Sequence, residues 1–426
     1  MNHAKLKFGP LGMRFDDRYR TVPEAGIIQA IVLAGWVDEV DTGLATEASR
    51  LSLQAWIALG LRFNRASNGG RLFDPIEVLN FMKRMGLDGR DGFLSERYTP
   101  THHRLVLELG NVSSVDETVV GDRRFVVEFK RTFNLRSIPA GTQLRLRAPS
   151  PLPGQYLNDL QVTPFAETTG ESETRLSPGR LELRLIASGE DEAALGAKWS
   201  FTARLQEQRS GDSEAGPDRA LYVNEREGLV VVTNRVRELA QSLVRAGGPP
   251  FDVARAFWEY IHGELIFGAI HYDQIDFAAP CDWILDSGWF DCQLGGALFV
   301  ALCRAHGICA RTVSGYLLYR TAPVKHYWTE VWIDDRGWTP IDFIGWDLSQ
   351  GGLFPKWRDR YFGRLDYRLI CERMPREFTG GVGVPLPAAW FYHSIPKQGG
   401  VEGCFMAIEG TPIYRDLTRV TGWFTR

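Results

Sequence analysis

The stretch GWFDCQLGGALFVALCRAHGICARTVSGY (residues 288–316), followed after a short loop by HYWTEVWIDDRGWTPIDF (residues 326–343), decides how the chain is read. Leu294, Leu298, Ala301, Leu302 and Ala305 recur at helical spacing, a core-facing stripe. Gly307 fits the C′ position, so the helix is expected to stop near His306. Cys292 then falls in the first turn, where exposed N–H groups and the helix dipole are expected to stabilise a thiolate. Gly295 and Gly296 each cost the helix about 1 kcal/mol relative to Ala. That cost predicts a close neighbour one turn past the sulfur.

Three short strands are predicted to follow. Arg311 to Tyr319 is β-rich, and Lys325 to Ile333 alternates with His326, Trp328, Glu330 and Trp332 on one face. Trp338, Pro340 and Asp342 share a face of the third strand. The turn at Asp334 to Gly337 sets whether Asp342 meets His326. A strict two-residue turn places Gly345 opposite His326 and sends Asp342 to the other face. One extra residue puts Ile344 opposite and makes Asp342 a diagonal neighbour on the same face. A bulge or a longer turn is therefore expected. Asp342 would then orient the imidazole, and His326 would take the proton from Cys292, a nucleophile, base and orienter in chain order.

The segments GALFVALCRAHGICAR, VSGY, HYWTEVW and GWTPID together resemble the catalytic core of the transglutaminase-like superfamily, over about residues 233–343. The resemblance implies a papain-like core, a Cys292–His326–Asp342 triad, and a thioester on Cys292 passed to an amine or to water. Three positions depart from the family pattern. Phe290 stands where a Gly is usual, a change expected to reshape the pocket rim; Cys309 replaces a Pro; Tyr327 replaces a small residue after the His.

An oxyanion hole needs two donors aimed at the developing charge. The Cys292 N–H is one, and Trp283 and Trp289 are candidates for the second. Trp283, Trp289 and Trp328 are the expected substrate-binding residues, with Glu330 beside Trp328 as pocket wall or hairpin packing. Cys303 and Cys309 read as buried core thiols, and His306 as a partner of the helix C-terminus. No Cys pair or His cluster has metal-ligand spacing, so neither metal nor organic cofactor is expected.

The chain has 426 residues, 44% hydrophobic, with a net charge of −3, which argues against a nucleic-acid footprint. No secretory signal is visible in MNHAKLKFGP, and the longest apolar run, near Ile27 to Trp36, is far short of a spanning helix. The six cysteines are scattered, which reads as free thiols in a cytoplasmic chain. Neither nucleic acid nor a membrane is expected as partner, and oligomeric state is not readable.

The expected fold class is α+β: a papain-like core preceded by a β-sandwich-like domain and an N-terminal helical region. Residues 1–100 read as helical, with a Thr21/Glu24 capping box, a stripe from Leu44 to Phe63, and a helix beginning at Asp74-Pro75. Residues 101–210 change to period two. Strands are predicted at Leu105–Leu109, Glu117–Val120, Phe125–Phe133, Thr142–Leu146, Leu181–Ile186 and Trp199–Leu205, with a turn at Gly121-Asp122. The run SIPAGTQLRLRAPSPLP (residues 137–153) resembles the β-domain that precedes the core in bacterial transglutaminase-like proteins. Ser210 to Asp218 reads as a linker. Residues 220–345 form the core, with helices at Asn234–Ala246 and from an Asp252 cap to Glu264, and a strand within Leu265–Ile270. Residues 346–426 form a flanking segment. It carries the aromatics Trp346, Phe354, Trp357, Tyr361, Phe362 and Tyr367, a loop at Gly380–Pro387, and strands near Trp390–Tyr392 and Cys404–Ile408. The run YFGRLDYR (residues 361–368) resembles a segment that follows the core in some family members.

The expected activity is cysteine-dependent acyl transfer from an amide or thioester donor to an amine acceptor. Hydrolysis of a peptide or amide, and a silent binding module that keeps the fold, are the rival readings. Aromatic flanks on both sides of the triad favour water exclusion, hence transfer.

Overall fold

A computed structural model describes residues 122–154, 156–204, 206–207, 216–244, 247–268, 270, 275–319, 323, 325–344, 359, 361–375, 391–397, 400–406 and 412–425. Before them it describes a few isolated positions and the short strands Val22–Pro23, Asn64–Arg65 and Arg71–Phe73. The predicted strands at Leu105–Leu109 and Glu117–Val120, most of the N-terminal helices and of the Ser210–Asp218 linker, the aromatics Trp346, Phe354 and Trp357, and the Gly380–Pro387 loop lie outside the described residues. One correction falls at the N-terminus. Val22 and Pro23 pair with Phe73 and Leu72 in a strand where Thr21 was expected to cap a helix. Proline disfavours the helical region for the residue before it.

Two packed regions share the chain. In the first, helix Cys292–Ala305 lies against a four-stranded antiparallel sheet ordered Gly337–Ile341, Lys325–Ile333, Ala310–Leu317, Arg368–Arg373. Helices Asn234–Leu243, Pro250–Glu264 and Pro280–Ser287 surround it. The helix interior from Leu294 to Cys303 is buried throughout. Leu294, Leu298, Ala301 and Leu302 thus do what their spacing dictates, packing with Val331, Ile333 and Ile341 of the sheet. Gly307, with a φ of 79°, ends the helix one residue after its cap at His306.

The hairpin carries the register the triad needs. Ile333 pairs with Gly337 across the three-residue loop Asp334–Arg336, and Thr329 pairs with Ile341. The Arg336 N–H closes onto the Ile333 carbonyl at 2.9 Å, and Gly337 takes a φ of 69°, a left-handed position suited to glycine. The turn is thus one residue longer than the strict two-residue form, as the reading of Asp342 required.

Asp252 is a correction. Helix Pro250–Glu264 has Pro249 at its cap and Asp252 inside the first turn. Proline at N1 lacks the N–H that would go unmatched there, so the cap needs no side chain.

The second region is β-rich. A six-stranded sheet runs Phe391–Lys397, Gly400–Met406, Pro412–Thr425, Arg123–Asn134, Glu192–Ala203, Leu157–Glu167. A three-stranded sheet, Gln143–Pro149, Arg180–Ile186, Ser172–Ser177, accompanies it. Its core holds Phe129 stacked on Trp199 at 5.3 Å, and both rings touch Tyr316 of the first region. The core sheet therefore packs through its Tyr316 and Leu369 side onto the β-rich region. Among the described residues, no helix is long and apolar enough to cross a membrane.

Candidate active site

Cys292 is the first residue of its helix, behind Asp291. The Asp291 carboxylate accepts the N–H groups of Gln293 at 3.1 Å and Leu294 at 2.8 Å. This N-cap is worth about 1 kcal/mol to the helix. It does not take the Cys292 N–H, which remains a donor for a bound carbonyl oxygen. The cap also reverses one expectation. Burial pushes the Cys292 thiol above its ordinary range, and the Asp291 charge adds to that; the Tyr327 N–H, donated to the sulfur, opposes both. Burial first, and the capping carboxylate second, thus oppose the thiolate that the helix terminus was expected to favour.

Gly295 and Gly296 have the close neighbours their cost implied. A Cβ on Gly295 would lie 2.4 Å from the Phe290 ring, and one on Gly296 would lie 3.1 Å from the Thr329 methyl. Phe290 therefore lies within the core behind the site. It is fully buried, edge-on to Phe267 and Phe343, and it sets how closely the helix approaches the sheet.

His326 and Asp342 meet as their register requires. The imidazole Nε2 sits 2.9 Å from both carboxylate oxygens, with the two side chains almost completely buried. Nε2 carries the proton in this arrangement, which leaves Nδ1 as the acceptor. Asp342 also accepts the Ile344 N–H at 2.9 Å, and Arg368 donates to its second oxygen. Burial would raise the Asp342 pKa, but its contacts with His326, the Arg368 guanidinium and the Ile344 N–H outweigh it and hold the carboxyl well below its usual range.

Arg368 was missed from sequence. It is 1% exposed, bonds Asp366 at 2.8 Å, and lies over the rings of Trp328 and Tyr361. Its one sequence signal was its place at the end of YFGRLDYR, which said nothing about the partner 26 residues upstream.

The three tryptophans separate. Trp328 is fully buried beside His326, 6.5 Å between ring centroids, so it supports the imidazole and has no surface for substrate. Alternation along the strand placed it correctly on the His326 face, but that face is covered by Tyr361 and Leu365. Trp289 is buried at the end of the short parallel pair Ile266–Phe267 with Trp289–Phe290. Trp283 is partly buried on the neighbouring helix, packed against the same core. Glu330 is buried and paired with Arg311 at 2.6 Å, a structural contact within the hairpin. Cys303 and Cys309 are buried thiols.

Residues 237–343 match a family model described as "Transglutaminase-like superfamily". No curated protein matches the chain. Among solved structures, a proposed cysteine protease from Cytophaga hutchinsonii is similar at 13% identity and a TM-score of 0.45, covering 70% of this chain and 98% of that one. The periplasmic domain of TgpA from Pseudomonas aeruginosa is similar at 18% identity and a TM-score of 0.29, covering 59% and 96%. A proposed protease from Parabacteroides distasonis is similar at 10% identity and a TM-score of 0.23, covering 72% and 91%. The helix, the sheet and the family match all fall on one segment, and residues 237–343 are similar to the core of the transglutaminase-like superfamily.

Proposed function

We propose that the chain is a cysteine acyltransferase, with Cys292 as nucleophile, His326 as base and then acid, and Asp342 as orienter. The observation that carries this reading is the buried Nε2–Asp342 contact, which leaves Nδ1 as acceptor on the residue next to Tyr327, whose N–H is donated to the sulfur. Because burial and the Asp291 charge push the thiol above its ordinary range, attack needs a base in place, and His326 supplies it.

The steps follow from that arrangement. The Cys292 sulfur attacks the carbonyl of an amide or thioester donor as its proton passes to Nδ1. The oxyanion is met by the Cys292 N–H, with Trp283 or Trp289 as the second donor. The C–N or C–S bond breaks, and the imidazolium returns its proton to the departing amine or thiol. An amine acceptor then loses its proton to Nδ1, attacks the thioester and releases Cys292. No metal or organic cofactor takes part in these steps.

The proposal extends to organisation. Residues 220–345 are read as the catalytic domain, residues 101–210 as a β-sandwich-like domain that shapes the cleft, residues 1–100 as a helical region, and residues 346–426 as a flank whose last three strands join the sheet of the β-rich region. A cytoplasmic location is part of the same reading. The five described cysteines are free, which suits a reducing compartment.

Intact-mass spectrometry tests the activity. Wild type and Cys292→Ala are incubated with acyl thioesters, glutamine peptides and short peptides. An adduct on wild type alone, discharged by added amine, is the expected result. Discharge by water at the same rate would make the protein a hydrolase. No adduct, together with alkylation of Cys292 no faster than the other thiols, would make it a binding module.

A further inference from the structure

The Cys292 helix covers only part of one face of the core sheet. Residues paired across antiparallel strands share a face, so the rows Lys325–Tyr316–Leu369 and Tyr327–Ser314–Glu372 lie on the same side as Thr329. At Thr329 that face is closed by the helix, whose Gly296 backbone comes against the threonine methyl. At the Tyr316 end it is closed by the β-rich region, with Tyr316 against Phe129 and Trp199 at 5.8 and 5.9 Å. Cys292 begins the helix at the interval between these two covers, with its sulfur on the Tyr327 N–H.

That interval is polar. Ser314 donates to Glu372 at 2.8 Å, with both residues buried. The β-rich region contributes the buried pair Arg131–Asp416, bonded at 2.6 and 2.8 Å. Lys325 shares this interval, one residue before the base and two before the residue that touches the sulfur.

We propose that Lys325 is a positioning residue whose ammonium group stabilises the Cys292 thiolate as His326 removes the proton. This rests on Cys292 being the nucleophile. The sulfur needs such a partner, because Asp291 and Asp342, which act on it, are both anionic. Lys325 is faced by Asp416, Arg131, Cys292 and Glu372. Burial lowers its pKa to about 7, with Arg131 acting the same way and Asp416, Cys292 and Glu372 opposing. The ammonium form therefore dominates below neutrality and is lost as pH rises past it.

The test is the pH dependence of Cys292 alkylation by iodoacetamide, read by peptide mass, for wild type, Lys325→Met and Lys325→Arg. No substrate is needed, and circular dichroism checks folding. Lys325→Met is expected to slow alkylation at neutral pH by about tenfold, one pKa unit in thiolate population. Lys325→Arg keeps its charge above neutrality and is expected to react at least as fast as wild type at pH 8. A folded Lys325→Met with the wild-type profile would overturn the proposal, as would a folded Lys325→Arg as slow as the Met variant. If wild-type Cys292 itself reacts no faster than an unfolded control at any pH, the nucleophile assignment fails, and this proposal fails with it.

Discussion

Asp291 and Arg368 act on the site from opposite ends, one on the sulfur and one on the carboxylate. Asp291 caps the Cys292 helix, yet its charge raises the thiol pKa. Asparagine caps as well and carries no charge. Asp291→Asn should therefore alkylate at Cys292 several-fold faster at pH 7, with a stability loss of no more than about 1 kcal/mol. Equal rates in the two proteins would show that the cap charge does not reach the sulfur. Arg368 shares Asp342 with His326 and is fully enclosed. Arg368→Met strands a buried carboxylate, and urea unfolding should show a loss of about 3–5 kcal/mol. The pH dependence has a definite sign. Asp342 has a depressed pKa when folded, so its stability contribution is complete above about pH 4 and fades as pH falls below that. Removing Arg368 raises the folded pKa, so stability should depend less steeply on pH in the acid range. Neither effect was legible in the sequence. Asp291 reads as an ordinary cap, and a buried arginine cannot be told from an exposed one without its partner.

The helix and hairpin were legible because each carries a period and a stop. The stripe from Leu294 to Ala305 and Gly307 bound the helix, and the length of the Asp334–Arg336 turn followed from the need to bring Asp342 beside His326. The paired glycines were legible as a cost, but not their different neighbours. A Cβ on Gly295 would lie 2.4 Å from a large buried ring, while one on Gly296 would lie 3.1 Å from a single methyl. Overpacking a tight core costs about 1–3 kcal/mol, against about 1 kcal/mol gained from helix propensity. Gly295→Ala should thus be net destabilising and should displace Phe290, whereas Gly296→Ala should be near neutral. Gly296→Leu, which must move Thr329 outright, should lose both stability and Cys292 reactivity. Urea midpoints for the three variants check the order, and Gly295→Ala at wild-type stability would contradict the close contact. The β-rich region was harder to read. Ser172–Ser177 is exposed at every position, and Leu157–Glu167 is an edge strand with only partial burial. Ser172–Ser177 lacks the apolar alternation that marks a strand, and in Leu157–Glu167 the alternating Leu160, Val162 and Ala166 are interrupted by Pro164 and only partly covered. Trp199–Leu205 was predicted seven residues short at its start because Ala193, Ala194, Gly196 and Ala197 are small and weak as β-formers.

At the scale of the molecule, the strand Pro412–Thr425 lies between Gly400–Met406 and Arg123–Asn134, deep in the six-stranded sheet. Sequence separation of nearly three hundred residues hid this pairing. Alternation identifies a strand but not its partner. Arg131 and Asp416 sit directly opposite in that register, and their two hydrogen bonds close the pair inside the sheet face. Arg131 also donates to the Arg147 carbonyl at 3.0 Å and stacks on Tyr414 at 4.0 Å, so three strands converge on one guanidinium. A buried ion pair costs more when halved than when replaced entirely, because a lone charge keeps its desolvation penalty. Asp416→Leu and Arg131→Met should each destabilise the protein by about 3–5 kcal/mol in urea unfolding. The double variant should be less destabilised than the sum of the two, and no worse than the Asp416→Leu single. Because Asp416 also faces Lys325, the Asp416→Leu variant carries a second consequence. Loss of that carboxylate lowers the Lys325 pKa further, so alkylation of Cys292 should slow near pH 7 even in protein that remains folded. Additive stability losses would show that Arg131 and Asp416 do not support each other. An unchanged alkylation profile would separate the β-rich region from the chemistry at Cys292.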